Sequence, residues 1–319
     1  MSSPNPSTAI QRPDLAATME QIDLDASREG FVGLQLFPVV EVGEQSANIG
    51  RIKLEQLLSD ASTSRNSKGG YNRGEYEFDE FFYATSDHGW EEPVDDRLRR
   101  IYRRYFDAES VAARRARDRV LRNFERRIVE KVTGTGITGV AAGGGVWSAK
   151  ATATPVADVL AAQIALRDQC GLLANTVAMD WEAFMRARET AEVIDRLKYA
   201  GFDDPKNVSA NALAQLFNVD RVVISGGQRN TANQAKARSL SSLWPKGIVL
   251  VAHTATDNDV QKPALGRTFH WSEDGSEMGA VIESYREEGV RGDVIRARME
   301  SDERLIYAEC GRRITGVLA

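Results

Sequence analysis

The longest unbroken pattern in the chain runs from residue 95 to residue 132. It contains no Gly or Pro, and Leu98, Ile101, Tyr105, Ala108, Ala112, Ala116, Val120, Phe124 and Ile128 recur every three or four residues. That period predicts one amphipathic helix. At ~1.5 Å per residue a single helix over this span is roughly 55 Å long. Pro93 precedes it, and Glu91, Glu92, Asp95 and Asp96 surround its start. Carboxylates there favour the positive end of the helix dipole. A helix of this length needs a long surface, or a partner, to lie against.

Upstream the pattern is different. Residues 1–30 are an arm: Ser, Pro, Asn and Thr dominate up to Pro13, and nothing there anchors a core. Phe31–Val42 is apolar and β-rich, and Pro38 within it suits an edge strand. Ile49–Leu58 leads into SDASTSRNSKGG, a polar tip. Tyr76 and Phe78 then alternate with Glu75, Glu77 and Asp79, the period of a strand with one wet face. Two strands around such a tip predict a long hairpin, which needs something to lie on.

Downstream, TGTGITGVAAGGGVWSAKATAT (133–154) ends the helix. Thr154 and Pro155 form a cap and first turn, and Val156–Cys170 reads as a helix stopped by Gly171. Asn175–Met179 reads as a strand, and Asp180 as the cap of one helix running to Tyr199. Ser209–Phe217 is a short helix, Arg221–Ser225 and Ile248–Ala252 are strands, and GGQRNTANQAKA is a loop. From Pro263 the texture turns to β, with strand candidates at Thr268–Ser272, Met278–Tyr285, Val294–Met299 and Leu305–Ala308. The fold class is α+β.

Composition narrows the function classes. The chain has 319 residues, 42% hydrophobic and 27% charged, which suits a globular protein with a real core. No apolar run approaches the roughly 18–20 residues of a membrane span, so no membrane partner is expected. The N-terminus lacks the basic and apolar regions of a signal peptide. Cys170 and Cys310 are the only cysteines, and His88, His253 and His270 the only histidines. That supply builds no disulfide framework and no H-x-x-x-H site, so no metal is expected. The formal net charge of −5 argues against a mainly electrostatic nucleic-acid binder. Arg outnumbers Lys, 32 to 9, and Arg suits planar, partly buried ion pairs.

Candidate chemistry is sparse. Gly134, Gly136 and Gly139 have the spacing G-x-G-x-x-G. The dinucleotide fingerprint needs a strand before it and a helix after it; here the long helix precedes. A helix terminator and hinge is the reading, with a nucleotide-binding enzyme on the Gly134–Gly139 loop as the remote alternative. Cys170 and Cys310 read as buried structural thiols. The long helix carries 13 basic and 7 acidic residues between Asp95 and Lys131. A solvated or subunit-facing side with intrahelical ion pairs outweighs a nucleic-acid helix, and Arg114, Arg115 and Arg117 are dense enough to demand partners. No catalytic or cofactor-binding residue is assigned. Arm and hairpin cannot bury themselves within a monomer, which points to an assembling shell subunit.

This order of elements resembles the Hong Kong 97-type major capsid proteins of tailed bacteriophages. HGWEEPVDDR (88–97), VIDRLKYAGFDDPKNVSANALAQLFNVDRVVISGG (193–227) and GRTFHWSEDGSEMGAVIESYREEGVRGDVIRAR (266–298) resemble segments of siphovirus-type members. The resemblance spans about residues 30–315. It implies an N-terminal arm and first strand over 1–44 and an extended loop over 45–92. A peripheral domain with a spine helix follows over 93–149, then an axial domain over 150–262. The chain returns to the peripheral domain over 263–298 and ends as an axial strand over 299–319. Arm and loop use all 94 residues ahead of the spine, which implies a separate scaffold or none. Lys53 and Lys68 lie in the loop without the acid and Asn that an isopeptide crosslink requires, so no crosslink is expected.

The implied function is a phage head protein that self-assembles into hexamers and pentamers around double-stranded DNA, without catalysis or cofactor. Partners would be its own copies, with scaffold, portal and decoration proteins, and DNA only by non-specific proximity. Its place would be the virion capsid, after assembly in the host cytoplasm. Tyr76, Phe78, Trp90, Arg114, Arg115 and Arg117 are the candidate inter-subunit contacts, Trp90 anchoring the base of the loop beside the spine. An encapsulin-like compartment shell is the alternative.

Overall fold

The structure, a computed structural model, describes residues 10–11, 30–60, 63–65, 67, 69–74, 77–103, 107–198, 208–233, 236–273 and 275–318. Most of the predicted arm, and Tyr76 of the predicted hairpin, lie outside the described residues.

In chain order, β1 (Ile10–Gln11) is followed by the short helix α1 (Gly33–Leu36), β2 (Val39–Val42) and β3 (Ser46–Ile52). Helix α2 (Leu54–Leu57), β4 (Phe78–Ala84) and β5 (Ser86–Asp95) lead to α3 (Asp96–Tyr102) and α4 (Ala108–Thr133). Then come β6 (Gly139–Ala141), α5 (Pro155–Cys170), β7 (Thr176–Asp180), α6 (Trp181–Ala187), α7 (Ala191–Leu197) and α8 (Ala210–Phe217). The rest is mostly β: β8 (Arg221–Ser225), β9 (Gln228–Asn230), β10 (Leu240–Ser242), β11 (Ile248–Ala252), β12 (Gly266–Trp271), β13 (Val281–Glu287), β14 (Gly292–Leu305) and β15 (Gly311–Thr315). The α+β class holds.

Two sheets organise the chain. The first has the order β1-β13-β14-β12-β2, with β5 also paired to β14. The second has the order β6-β15-β11-β7-β8. The hairpin β3–β4 stands apart as its own two-stranded ribbon, and β9–β10 forms another. Helix α4 lies across β5 and β14 of the first sheet. It buries Ala112, Ala113, Ala116, Val120, Phe124, Ile128, Val129 and Val132. The small residues let the helix sit close to the sheet, and each large one contributes roughly 1.5–3 kcal/mol by leaving water.

The spine differs from the single helix expected over 95–132. It is a 7-residue helix and a 26-residue helix. Asp107 makes the restart: its carboxylate accepts from the Glu109 N–H and the Ser110 hydroxyl, a fresh N-cap inside the pattern. A helical period cannot reveal a cap that interrupts it. Of the acids expected at the helix start only Asp95 and Asp96 lie there. Glu91 and Glu92 belong to β5, where His88, Trp90, Glu92 and Val94 share one face and Val94 is buried. Asp95 alone caps α3, accepting from the N–H groups of Arg97 and Leu98. Pro93 lacks a donor, which β5 tolerates because β14 is its single described strand partner.

The second correction concerns the helix expected from Asp180 to Tyr199. It breaks after Ala187, where the Thr190 hydroxyl donates to the Ala187 carbonyl, and restarts at Ala191. The expected loop after Gly226 contains β9, which pairs with β10 just beyond it, and Val294–Met299 and Leu305 fall on one 14-residue strand. Gly171 closes α5 in the left-handed region at φ 73°, as its position after an apolar helix suggests.

Three connections tie the sheets together. Arg313 of β15 donates to the Thr133 and Ile137 carbonyls, closing the end of α4. Arg221 of β8 donates to the Gln35 carbonyl of α1 at 2.7 Å. The Gly226 N–H donates to the Gly30 carbonyl; Gly30 sits at φ 74°, and a Cβ there would lie 2.4 Å from the Gly226 nitrogen.

Candidate assembly surfaces

The hairpin is the first surface. In β4, Phe78, Glu80 and Phe82 point away from the body, while Asp79, Phe81 and Tyr83 point toward it. Tyr83 stacks on Phe269 of β12 with ring centroids 4.8 Å apart, and Phe81 tilts against the same ring at 5.8 Å. Arg51 of β3 donates to the Ile306 carbonyl at 2.6 Å and lies over the Tyr307 ring at 5.5 Å. The Tyr307 hydroxyl returns a bond to the Ile52 carbonyl. The base of the ribbon is thus fixed to the body. Its outer side is not covered: Phe78 is 62% and Phe82 54% exposed. Leu57, Leu58 and Tyr71 nearby in sequence are exposed as well. The sequence singled out Phe78 but missed Phe82, although the same alternation carries both.

The spine is the second surface. Trp90 of β5 lies beneath Arg119 of α4, the guanidinium carbon 4.1 Å from the ring centroid. The Trp90 indole N–H donates to Glu92 at 3.0 Å. Glu92 also faces Arg115 at 3.6 Å and Arg119 at 3.8 Å. Arg114 is exposed, with no ion pair among the described residues. Arg117 departs from the expected subunit-facing role. It is 3% exposed and its Nε donates to the Gly279 carbonyl, so its charge is used inside the subunit. It falls on the same helix face as Ala113, Ala116 and Val120, which the arginine count alone concealed. Arg122 pairs with Asp118 at 2.8 Å and Arg126 with Glu130 at 3.7 Å, both one turn apart.

The third surface was not anticipated. Helix α5 buries Val156, Val159, Ala162 and Leu166. Its opposite face carries Ala157, Leu160, Ala161 and Ile164, all exposed, with Leu160 and Ile164 each at 54%. A surface helix normally places polar residues there. Leu58 of the hairpin packs at the end of this helix, beside Gly171. The signal lay in the sequence as a helix apolar on both sides.

The remaining candidate chemistry is structural. After Gly134 a strand follows, so the glycine motif stands helix-then-strand, the reverse of the dinucleotide fingerprint. His270 is buried with Nδ1 2.7 Å from the Glu300 carbonyl, and His253 Nδ1 lies 2.7 Å from the Leu173 carbonyl. Burial and the neighbouring Arg127 push the His88 pKa down. Among the described residues no group of three or more His, Cys, Asp or Glu side chains is arranged to hold a metal. Among them, too, no helix is long and apolar enough to cross a membrane.

No protein-family model matches the chain, and no curated protein matches it. Solved structures do match. A phage-related protein from Bordetella bronchiseptica superposes with a TM-score of 0.69 at 18% identity, covering 97% of this chain and 98% of that one. A virus-like particle from Pyrococcus furiosus gives 0.56 at 11% identity, over 95% and 98% of the two chains. The capsid of cyanophage P-SCSP1u gives 0.55 at 12% identity, over 89% and 87%. The chain therefore has the Hong Kong 97-like fold of phage capsid proteins, matched nearly end to end.

Proposed function

We propose that this chain is the major capsid protein of a tailed bacteriophage, a structural, non-catalytic subunit. In this reading its copies assemble into hexamers and pentamers of an icosahedral head that encloses double-stranded DNA. The first sheet with α4 is the peripheral domain, the second sheet with α5 to α8 the axial domain, and the β3–β4 hairpin the extended loop. The observation that carries the reading is the hairpin itself. It is anchored at its base by Tyr83 and Arg51, yet presents Phe78 and Phe82 to solvent. Exposed aromatics on a projecting ribbon cost solubility unless a neighbour covers them.

Phe78, Phe82, Arg114, Arg115, Leu160 and Ile164 are the contacts we assign between subunits, with Tyr76 on the same strand and Trp90 bracing the spine. Many modest contacts of this kind sum through multivalency in a closed shell. The resemblance leaves room for a separate scaffold, or none, and for portal and decoration proteins as further partners; in this reading the virion capsid is the site of action, and assembly takes place in the host cytoplasm. DNA is held by proximity, because the chain carries a net charge of −5.

The test is electron microscopy and sedimentation of the purified full-length chain, alone and co-expressed with its neighbouring phage genes. Closed particles or capsomer rings are expected; a monodisperse monomer under both conditions overturns the reading. A compartment shell is the second reading, favoured by the similarity to the Pyrococcus furiosus virus-like particle. Nuclease-protected DNA inside particles from infected cells separates the two, since a compartment shell carries protein cargo instead.

A further inference from the structure

We propose that Cys170 and Cys310 form a modification site, an intrachain disulfide made when the protein meets a hydroperoxide. The inference stands apart from the shell reading and concerns the fold of the single chain. These are the only two thiols, and both are free and buried. They are 140 positions apart by number (310 − 170), yet they belong to one hydrophobic cluster. Cys170 is the last residue of α5. Cys310 closes the 3₁₀ turn Ala308–Cys310 that packs against that helix just before β15. Their chain neighbours Gln169 and Glu309 line one pocket, and each thiol is the group that most perturbs the other.

The backbone around each sulfur is defined. The His253 N–H donates to the Cys310 carbonyl at 2.8 Å, and the Cys310 N–H to Tyr307 at 3.1 Å. The Gly171 N–H returns to Arg167 at 2.8 Å, and the Cys170 thiol also faces the Leu172 carbonyl at 3.8 Å. Both residues sit at element ends, where a small shift is cheap: helix termini open locally at low cost, and a 3₁₀ turn has weak hydrogen bonds. A disulfide needs specific Cβ approach, with sulfurs closing to ~2.05 Å. Two element ends are better placed to supply that movement than two positions within strands.

Cys170 ends a helix beside Gly171 and is the attacking thiol in this scheme, with Cys310 resolving. Cys310 lowers the pKa of Cys170, and Cys170 together with burial raises that of Cys310, in keeping with this order. The Cys170 thiol gives its proton to solvent and the thiolate attacks one oxygen of hydrogen peroxide; the O–O bond breaks, and the departing hydroxide takes a proton from solvent to become water. Cys170 is then a sulfenic acid. The Cys310 sulfur attacks the Cys170 sulfur, the S–O bond breaks, and the hydroxyl leaves as a second water with the Cys310 proton. Two thiols have lost two electrons, and one peroxide has gained them. The product ties the end of α5 to the start of β15.

The experiment treats the full-length protein with hydrogen peroxide, then denatures and alkylates it without reductant for intact mass and peptide mapping. One linked peptide pair containing residues 170 and 310 is expected within single chains, with both cysteines refractory to alkylation. Cys310→Ser should instead accumulate sulfenic and then sulfinic acid at Cys170, and Cys170→Ser should leave Cys310 fully alkylatable. Diamide, which oxidises dithiols without a sulfenic intermediate, should give the same linked pair in the wild type. Two alkylatable thiols after both oxidants, a link between two chains, or sulfinic Cys170 beside an untouched Cys310 in the wild type would each overturn the proposal.

Discussion

Both oxygens of the Glu303 carboxylate accept from the guanidinium of Arg127, at 2.8 Å from Nε and 2.8 Å from Nη2. This pair joins α4 to β14, and Glu303 is buried. The Ser301 hydroxyl adds a third bond at 2.8 Å, and the Lys131 ammonium holds the Glu303 carbonyl. Burial opposes the charge on Glu303, but Arg127 outweighs it and holds the carboxyl below its usual range.

Removing the Glu303 charge leaves the part-buried Arg127 without its counter-charge, with its bond to Ser301 remaining. Glu303→Gln should destabilise the subunit by roughly 1.5–3 kcal/mol, read from urea unfolding. The pH dependence has a definite sign. A carboxyl with a depressed folded pKa contributes stability that is present above its unfolded value of ~4.3. That stability is lost as pH falls through the lower folded value. Wild-type stability should therefore drop more steeply with acid in this range than that of Glu303→Gln; parallel curves would remove the pair from the account.

Glu125 presents the opposite case on the same helix. Its carboxylate accepts the Val32 N–H at 2.9 Å and the Gly33 N–H at 2.7 Å, capping α1 from across the core. Burial outweighs these bonds and raises its pKa. Its charge therefore costs stability above the folded pKa, a cost that disappears as pH falls through that value toward the unfolded one. Glu125→Ala orphans two N–H groups at about 1–3 kcal/mol each. Glu125→Gln keeps one acceptor and should cost about half as much. Equal losses for the two variants, measured in urea at neutral pH, would show that the bonds contribute little.

The chain's apolar periods made several elements legible: α5 with its Gly171 stop, β8 and β11 are where the hydrophobic runs place them, whereas of the edge strand expected over Phe31–Val42 only Val39–Val42 forms and Gly33–Leu36 is helical. What stayed hidden depended on side chains reaching their own backbone. Asp107 and Thr190 each interrupt a helix whose apolar period continues past them. The candidate surfaces were half legible. Phe78 and the arginine-rich spine stood out by residue type, but type does not say which arginine turns inward, as Arg117 does. The outer stripe of α5 escaped because Leu and Ile in a helix are ordinarily assigned to the core.

The hairpin gives a prediction that separates folding from assembly. Deleting residues 60–74, or replacing Phe78 and Phe82 together by Ser, removes nothing that the base of the ribbon uses. Tyr83, Phe81 and Arg51 keep their partners in both variants. Thermal unfolding should stay close to the wild-type midpoint, while particles or capsomers disappear from the sedimentation profile. Intact assembly by the deletion variant would refute the extended-loop assignment.

Helix α5 allows the sharpest contrast, because it offers two apolar faces with opposite expected behaviour. Leu166 is fully buried, so Leu166→Ala should cost about 2–5 kcal/mol of subunit stability through lost burial and the cavity left behind. Leu160 and Ile164 lie on the other face, about half exposed. Replacing both by Ser removes little that the monomer buries, and surface changes of this kind usually stay within about 0.5 kcal/mol each. If a neighbouring subunit covers the stripe, the double variant should unfold like the wild type yet raise the protein concentration needed for assembly. The two measurements are independent: urea unfolding reports the monomer, and sedimentation across a concentration series reports the contact. A double variant that assembles at the wild-type concentration would mean that the outer stripe of α5 faces solvent in the particle. The inter-subunit role would then rest on the hairpin and the spine alone.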